Sequence, residues 1–151
     1  MAPTLTFEHW NPELAEKMKA KSTKSIDGFL GIQVTDFQPG KLVAEFEVRD
    51  ELVTMIGNIH GGCITAFADH CLGVIMYPIM PKRSWAATTE FKINLLAPVS
   101  EGKVIATAEV VSMSKRLAVI RINIENEGRL VAVAQGTSTI VPPRPPADSS
   151  T

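Results

Sequence analysis

The stretch GNIHGGCITAFADH, residues 57–70, contains the residue types in this chain that are best suited to chemistry. Gly61 and Gly62 have no side chain, so a ligand can approach their backbone closely. If a helix begins here, its first N–H groups have no partner within the helix, and the helix dipole favours negative charge. A carbonyl that becomes an oxyanion during acyl transfer requires such donors. The alternative is that the glycine pair only makes a tight strand-to-helix turn.

Asp69 is the other candidate, because it is the only acid in this apolar stretch. A carboxylate in a buried helix is costly unless it is paired or functional. Burial would also suit Asp69 to work as a base or a nucleophile. The alternative is a structural carboxylate that bonds to a neighbouring threonine or backbone group.

The spacing between the two candidates constrains the site. Asp69 lies nine residues after His60, which on a helix is a rise of about 13 Å with about half a turn of extra rotation. One chain therefore cannot easily bring Gly61 and Asp69 to the same carbonyl, whereas two antiparallel helices at a dimer seam can. The small residues Ala66 and Gly73 beside Asp69 would permit close approach. The sequence thus predicts an active site shared between subunits.

Hydrophobic periodicity places these residues on a central helix. Apolar side chains repeat at helical spacing from Ile64 to Ile75, and Pro78 and Pro81 end the pattern. The opposite face is mostly small or apolar, which predicts a helix buried on nearly all sides. Alternating segments predict two strands before the helix and four after it, the four as an antiparallel meander. The predicted strands are 29–37, 41–49, 84–96, 102–112, 115–126 and 129–141.

These elements predict an α+β fold in which a curved antiparallel sheet of five to six strands wraps around one central helix. A short N-terminal helix starts after the N-cap Asn11 and extends to about Lys21. Open sheet edges favour dimerisation through an edge strand. The chain divides into an N-terminal helical segment (1–26), a main domain (27–141) and a Pro-rich tail expected to be disordered (142–151).

Composition and charge argue against several classes of partner. The 151-residue chain is 45% hydrophobic and 21% charged with a net charge of −1, so no strong field draws it to nucleic acid or to an anionic membrane. No apolar run reaches the roughly 18 residues of a membrane helix. The N-terminus lacks the features of a signal or transit peptide. We therefore expect a cytoplasmic protein.

Metal and cysteine chemistry are only weakly indicated. His60, Asp69 and His70 lack the H-E-x-x-H spacing, so we expect no metal ligands and no separate cofactor. Cys63 and Cys71 lie eight residues apart, a rise of about 12 Å on one helix, which is too far for a disulfide. Both are expected to be reduced core thiols, with Cys63 near the helix start as an alternative nucleophile.

The segments IHGGCITAFADHCLG and TTEFKINLLAPV, with the strands that follow, resemble the hotdog-fold acyl-CoA thioesterases over roughly residues 27–141. The branch they resemble is the phenylacetate-pathway type, which includes the acyl-CoA thioesterase 13 group. The resemblance implies a hotdog fold and hydrolysis of an acyl-CoA thioester at a dimer interface, usually in a homotetramer of two dimers. Coenzyme A would enter as part of the substrate.

The resemblance also implies roles for individual residues. The Gly61 N–H would polarise the thioester carbonyl, and Asp69 of the partner chain would act as general base or nucleophile. Thr88 would help to position the attacking water, and His60 would help to build the loop near the thioester. Further substrate-binding residues would be Gly62, Asn58, Lys115 and Arg116. The last two would contact coenzyme A phosphates, unless they are only a solvated turn pair.

One position departs from the family pattern. Related enzymes often have an asparagine six residues before the histidine, where Thr54 stands in this chain. The Thr54 hydroxyl can donate one hydrogen bond, but the side chain is shorter. Either Thr54 substitutes, Asn58 assists, or the activity is weaker, since loss of one oxyanion donor costs about 10²–10³ in rate elsewhere.

Two other functions stay open at this point. One is a hydratase or dehydratase that acts on enoyl or hydroxyacyl thioesters, although its typical aspartate, histidine and glycine layout is not seen. The other is a protein that binds an acyl-CoA or acyl-carrier thioester without turnover. An acyl pocket could accept aromatic or medium- to long-chain groups, with lining residues such as Met55, Ile56, Met76 and Tyr77.

Overall fold

The computed structural model describes residues 5–143 of the chain. Its helices are α1 (Pro12–Lys17), α2 (Ser25–Leu30) and α3 (Gly61–Val74). Its strands are β1 (Gln33–Gln38), β2 (Lys41–Glu47), β3 (Trp85–Leu95), β4 (Lys103–Met113), β5 (Leu117–Asn126) and β6 (Arg129–Val141). Short 3-10 turns lie at Asp50–Leu52 and Tyr77–Ile79. Of the tail predicted over 142–151, residues 144–151 lie outside the described part.

The six strands form one antiparallel sheet in the order β1-β2-β4-β5-β6-β3. The sheet wraps around α3, so the predicted α+β architecture with a central helix is confirmed. The outer strands β1 and β3 each leave one edge unpaired within the described chain. These open edges matter for the site because β3 runs beside α3.

The predicted four-strand meander is only partly right. β4, β5 and β6 do form a meander, but β3 pairs with β6, from Trp85↔Val141 to Leu95↔Ala132, and not with β4. The other edge of β4 is occupied by β2 over seven residue pairs, which leaves no edge for β3. Alternation identifies strands, but it does not choose their partners.

The N-terminal region also differs from the prediction. The Asn11 side chain accepts a hydrogen bond from the Leu14 N–H, as the predicted N-cap requires, but α1 ends already at Lys17. A second helix, α2, occupies the start of the strand predicted at 29–37. Gly31, with φ of 75°, ends α2 in the left-handed conformation that glycine adopts without strain. A six-residue helix is too short to reveal itself by periodicity.

The inner face of α3 packs into the core against the sheet. Phe67 and Leu72 are fully buried, and the Phe67 ring meets Phe46 of β2 edge-on at 4.9 Å between centroids. Contrary to the sequence expectation, Gly61–Ile79 is long and apolar enough to cross a membrane by length and composition alone. This segment packs under the sheet, and half of its most apolar stretch of 18 residues is buried inside the molecule. Its apolarity is therefore explained by its place in the fold.

Candidate active site

The start of α3 presents one free backbone donor. His60 is the N-cap, and its Nδ1 accepts a hydrogen bond from the Gly62 N–H at 2.9 Å. The His60 carbonyl accepts from the Cys63 N–H at 2.8 Å. Within residues 5–143 the Gly61 N–H has no acceptor, so it is free to bind a ligand. Because Nδ1 accepts, the proton of neutral His60 lies on Nε2, which can donate outward.

Each glycine at this helix start has a steric reason. A Cβ on Gly62 would lie 2.8 Å from His60 Nδ1, so a side chain there would displace the capping imidazole. A Cβ on Gly61 would lie 2.7 Å from Leu95 Cδ1, the movable end of a half-exposed side chain. The packing around both glycines therefore leaves little room for a side chain. Gly62 leaves room for the capping His60 ring, and Gly61 carries the free N–H.

The loop before the helix is closed by its own polar groups. The Thr54 N–H donates to the Asn58 carbonyl at 2.8 Å, and the Thr54 hydroxyl donates to Asn58 Oδ1 at 3.4 Å. Asn58 Nδ2 donates to the Ile59 carbonyl at 3.3 Å. The single proton of the Thr54 side chain is thus used inside the loop. The exposed tip of this loop consists of Met55 and Ile56.

The prediction that α3 is buried on nearly all sides is wrong for the single chain. Asp69 and Gly62 are exposed, and Thr65, Ala66 and Gly73 between and beyond them are only partly buried. We call this surface the open face of α3. A Cβ on Gly73 would meet no atom within 4 Å, so nothing in the described chain covers this end of the face. Asp69 is therefore not a buried carboxylate in one chain.

Strand β3 lies antiparallel beside α3 and carries Thr88 toward the C-terminal half of the helix, near Leu72. At one end, Leu95 lies against Gly61. At the other end, Thr88 pairs with Ser138, whose hydroxyl donates to the Leu72 carbonyl at 3.2 Å. The site is thus split into a donor end with the free Gly61 N–H and a carboxylate end. The two ends are eight residues apart on α3, a rise of about 12 Å.

A β-bulge shapes the strand at Thr88. The register shifts between Thr88 and Glu90, so Thr89 has no partner in the β6 ladder. The Thr89 hydroxyl instead forms a hydrogen bond with the Thr139 hydroxyl. Bulges reorient side chains and recur beside functional sites. Thr88 itself is partly buried.

Lys115 and Arg116 lie exposed in the β4–β5 turn, beyond the carboxylate end of α3. Lys115 lines a cavity of about 490 Å³ that Ile79 also borders. The Arg116 carbonyl accepts from the Ile140 N–H at 2.7 Å. Neither cation lies at the donor end of its own chain. The structure therefore does not bring all the predicted site residues together within one chain.

The residues suggested for an acyl pocket are also separated. Met55 and Ile56 are at the loop tip before α3, whereas Met76 and Tyr77 follow its C-terminal end. Met76 is fully buried in the core and Tyr77 is partly exposed. In a single chain these four side chains do not line one pocket.

Three groups near α3 have shifted pKa values with a clear cause. Burial lowers the pKa of His70, and the negative charges of Asp27 on α2 and of Asp69 offset part of this shift. Burial raises the pKa values of Cys63 and Cys71, so thiolate chemistry is disfavoured at both. Over residues 5–143, no three His, Cys, Asp or Glu side chains cluster as a metal site would require. Sequence reasoning missed the effect of the Asp27 charge on the pKa of His70, because it did not predict α2.

Comparisons with known proteins agree with this geometry. The thioesterase superfamily matches residues 56–133. Human acyl-coenzyme A thioesterase 13 is 26% identical over 129 residues, which cover 83% of this chain and 91% of the human protein. A variant of the phenylacetic acid degradation protein PaaI from Thermus thermophilus is 30% identical with a TM-score of 0.69, over 75% of this chain and 96% of that one. Thioesterase HI1161 from Haemophilus influenzae has a TM-score of 0.79 at 23% identity, over 96% of both chains. The chain belongs to the thioesterase superfamily and has the hotdog fold.

Proposed function

We propose that this protein hydrolyses acyl-CoA thioesters to a free acid and coenzyme A. The observation that carries the proposal is the free Gly61 N–H at the start of α3, next to a Gly62 N–H that His60 already occupies. A helix start with one unpaired, preorganised donor suits a developing oxyanion. The superfamily match and the human acyl-coenzyme A thioesterase support the thioester as substrate. We further propose that the reaction occurs in the cytoplasm.

The proposed active site is shared by two copies of the chain. The donor end and the carboxylate end lie about 12 Å apart along one helix, too far to act on the same carbonyl. A second copy with its α3 antiparallel across the open face would bring the partner's Asp69 to Gly61. An uncovered Gly73 and an open β3 edge support this pairing, as do exposed apolar residues at both ends of the face. These residues are Met55, Ile56, Trp85 and Leu95. A homotetramer of two such dimers remains part of the proposal.

The proposed hydrolysis uses the donor end of one chain and the carboxylate end of its partner. The Gly61 N–H donates to the thioester carbonyl oxygen, and the partner's Asp69 takes a proton from water that adds to the carbonyl carbon. Thr88 of β3 would hold that water. The C–S bond then breaks, the acid leaves, and the proton returns to the coenzyme A thiolate. A direct attack by the Asp69 carboxylate, followed by hydrolysis of the anhydride, fits the same geometry.

A subunit-complementation experiment tests both the reaction and the sharing. Gly61→Pro removes the donor and Asp69→Asn removes the base, and each homomeric variant should release little thiol from acyl-CoA. The two variants are co-expressed with different tags, and the mixed dimer is isolated by sequential affinity steps. It contains one doubly defective site and one intact site, so it should show about half of wild-type activity.

The outcomes of this experiment are distinct. A site contained in one chain predicts an inactive mixed dimer, because each chain still carries a defect. Wild type that releases no thiol from acetyl-, hexanoyl-, lauroyl-, palmitoyl-, benzoyl- or phenylacetyl-CoA would overturn the hydrolase proposal itself.

The second candidate is a protein that binds acyl thioesters without turnover. The observation in its favour is that Thr54 spends its only side-chain proton on Asn58, so Thr54 does not supply a second oxyanion donor. Tight binding of a non-hydrolysable acyl-CoA ether, together with no turnover of any ester in the panel, would favour this candidate. Acyl thioesters of a carrier protein should be tested in the same binding and turnover assays.

A further inference from the structure

The connection from α3 to β3 ends in a tight turn, residues 81–84, which takes no part in the proposed hydrolysis. The Ser84 N–H donates to the Pro81 carbonyl at 3.1 Å, and this bond closes the turn. Arg83 is the third residue of the turn and has φ of 65°, a left-handed conformation in which glycine or asparagine is usual. Such a conformation in another residue type is often found at ligand sites, where the surrounding structure holds it.

Two adjoining cavities lie around this turn. The first has a volume of about 540 Å³, and its lining includes basic, hydroxyl and aromatic side chains, namely Lys82, Arg83, Ser84, Trp10 and Tyr77. The second has a volume of about 490 Å³ and contains Lys115. The residues that border both cavities are Glu8, His9 and Pro81. Each cavity falls within the range of roughly 300–1,000 Å³ that is typical of small-molecule sites.

The cavities contain polar groups without a protein partner. Ser84 is only 9% exposed, and its Oγ has no hydrogen-bond partner among the described residues. Buried hydroxyls nearly always have a partner, so a ligand in the cavity would supply the missing one. The lining cations also form no ion pair within residues 5–143; they are Lys82, Arg83 and Lys115.

The charge of the lining favours an anionic ligand. The three cations outnumber the two carboxylates that line the cavities, Glu8 and Glu13, although the whole chain has a net charge of −1. Lysine and arginine side chains donate strong hydrogen bonds to phosphate oxygens. The aromatic residues Trp10 and Tyr77 in the same lining suit a ligand that also contains a ring. A phosphorylated nucleotide has both features.

The strand β3 connects these cavities to the carboxylate end of the site. Ser84 lies four residues before Thr88, a rise of about 13 Å along an extended chain. Thr88 pairs with Ser138, whose hydroxyl donates to the carbonyl of Leu72, three residues after Asp69 on α3. The cavities therefore lie beyond the carboxylate end. In an acyl-CoA the long pantetheine arm separates the thioester from the nucleotide, so one substrate can extend from Asp69 to the cavities.

We propose that the turn 81–84 and the two cavities around it bind the phosphorylated nucleotide of coenzyme A. This inference rests on the proposed function, and it adds the turn to Lys115, for which the family resemblance implies a phosphate contact. Lys82 and Arg83 donate to phosphate oxygens, and the Ser84 hydroxyl donates to an oxygen of the same nucleotide. Contacts of this kind make the protein prefer a coenzyme A ester to a thioester that has no nucleotide.

The first test is a binding measurement that requires no turnover. Calorimetry compares wild type with Lys82→Ala/Arg83→Gly, using adenosine 3′,5′-bisphosphate as the probe. Glycine fits the positive φ at position 83, so the turn should stay folded. The control Lys24→Ala/Arg121→Ala removes two exposed cations that line neither cavity. We expect the Kd to rise about tenfold or more in the turn variant and to stay at the wild-type value in the control.

The second test is a substrate comparison. The kcat/KM of an acyl-CoA is divided by that of the same acyl group on N-acetylcysteamine, which lacks the nucleotide. This ratio should fall about tenfold in the turn variant, through a higher KM for the coenzyme A ester. Ser84→Ala should also weaken binding of the bisphosphate. Its melting temperature should not fall below that of wild type, because the lost hydroxyl has no partner in the free protein.

The outcomes separate this inference from the proposed function. An unchanged Kd or an unchanged ratio in the folded turn variant would overturn the inference and leave the hydrolase in place. Binding of ATP that is as tight as that of the bisphosphate, with an unchanged ratio, would assign the cavities to a free nucleotide and overturn it as well. Wild type that binds the bisphosphate but hydrolyses no thioester would support the nucleotide site and remove the proposed function.

Discussion

The free N–H of Gly61 can be deleted with little change to the fold, because the structure allows proline at this position. Gly61 is the first residue of α3 and has a negative φ, and proline is favoured at the first helical position. His60 has φ of −64° and ψ of 128°, within the extended region that proline requires of its predecessor. Gly61→Pro therefore removes one hydrogen-bond donor and should leave the helix intact.

Gly61→Ala is the matched control. Both substitutions place a Cβ 2.7 Å from Leu95 Cδ1, and that side chain is 53% exposed, so it can rotate away. Alanine keeps the N–H and proline does not. The difference between the two variants thus isolates the donor from the steric change.

The expected size of the effect follows from the number of donors. Gly62 donates to His60 and Thr54 donates to Asn58, which leaves Gly61 as the main oxyanion donor at this helix start. Loss of one such donor costs about 10²–10³ in kcat. We expect Gly61→Pro to lose that much relative to Gly61→Ala, at saturating acyl-CoA in a thiol-release assay. Circular dichroism and sedimentation should match for the two variants.

Two outcomes would refute this reasoning. If Gly61→Pro and Gly61→Ala have the same kcat, the Gly61 N–H does not stabilise the transition state. If only KM changes, the proline ring obstructs binding and the donor has no role in the chemical step.

Three further predictions concern stability and pH. His60→Ala should lower the free energy of unfolding by about 1 kcal/mol through loss of the N-cap, measured by urea denaturation, and an unchanged midpoint would refute the capping role. The pKa of His70 is lowered in the folded state, so between that lowered value and the ordinary value of 6.5 the unfolded state binds more protons and stability falls with decreasing pH. His70→Gln should flatten that fall by up to about 1.4 kcal/mol per pH unit, and equal slopes for variant and wild type would contradict the assignment. Gly136→Ala puts a Cβ 2.6 Å from Phe91 Cβ and 2.9 Å from the Glu90 carbonyl, and should cost about 1–3 kcal/mol by overpacking. A melting temperature of Gly136→Ala equal to that of wild type would refute the overpacking argument.

The elements with strong local signals were predictable from sequence. The helix from Gly61 and the strands after it follow from periodicity. The place of β3 was not predictable, because strand pairing depends on which edges are already occupied. Helix α2 was missed because six residues carry too little periodic signal, and the effect of Asp27 on the pKa of His70 was missed with it.

The site residues also divide into those that a local sequence signal predicts and those that depend on the folded structure. A glycine pair before an apolar helix predicts a donor at the helix start, and the structure leaves the Gly61 N–H free. The use of Gly62 by the His60 ring depends on a side-chain rotamer that no spacing rule gives. The pairing of Thr54 with Asn58 likewise depends on how the loop closes.

The exposure of Asp69 is the most informative departure from the sequence prediction. The small and apolar residues around Asp69 predict burial, yet one chain leaves Asp69, Gly62 and an uncovered Gly73 on the surface. The residues of this helix face are typical of a buried face, whereas the fold of one chain leaves the face open. Both observations hold only if another surface covers the face. The proposed second copy, placed antiparallel, would satisfy both, since it would cover the face and bring its carboxylate end to the donor end. The same antiparallel pairing would also bring together the donor end and the carboxylate end of the site. In one chain these ends are separated by about eight residues of helix, a rise of about 12 Å.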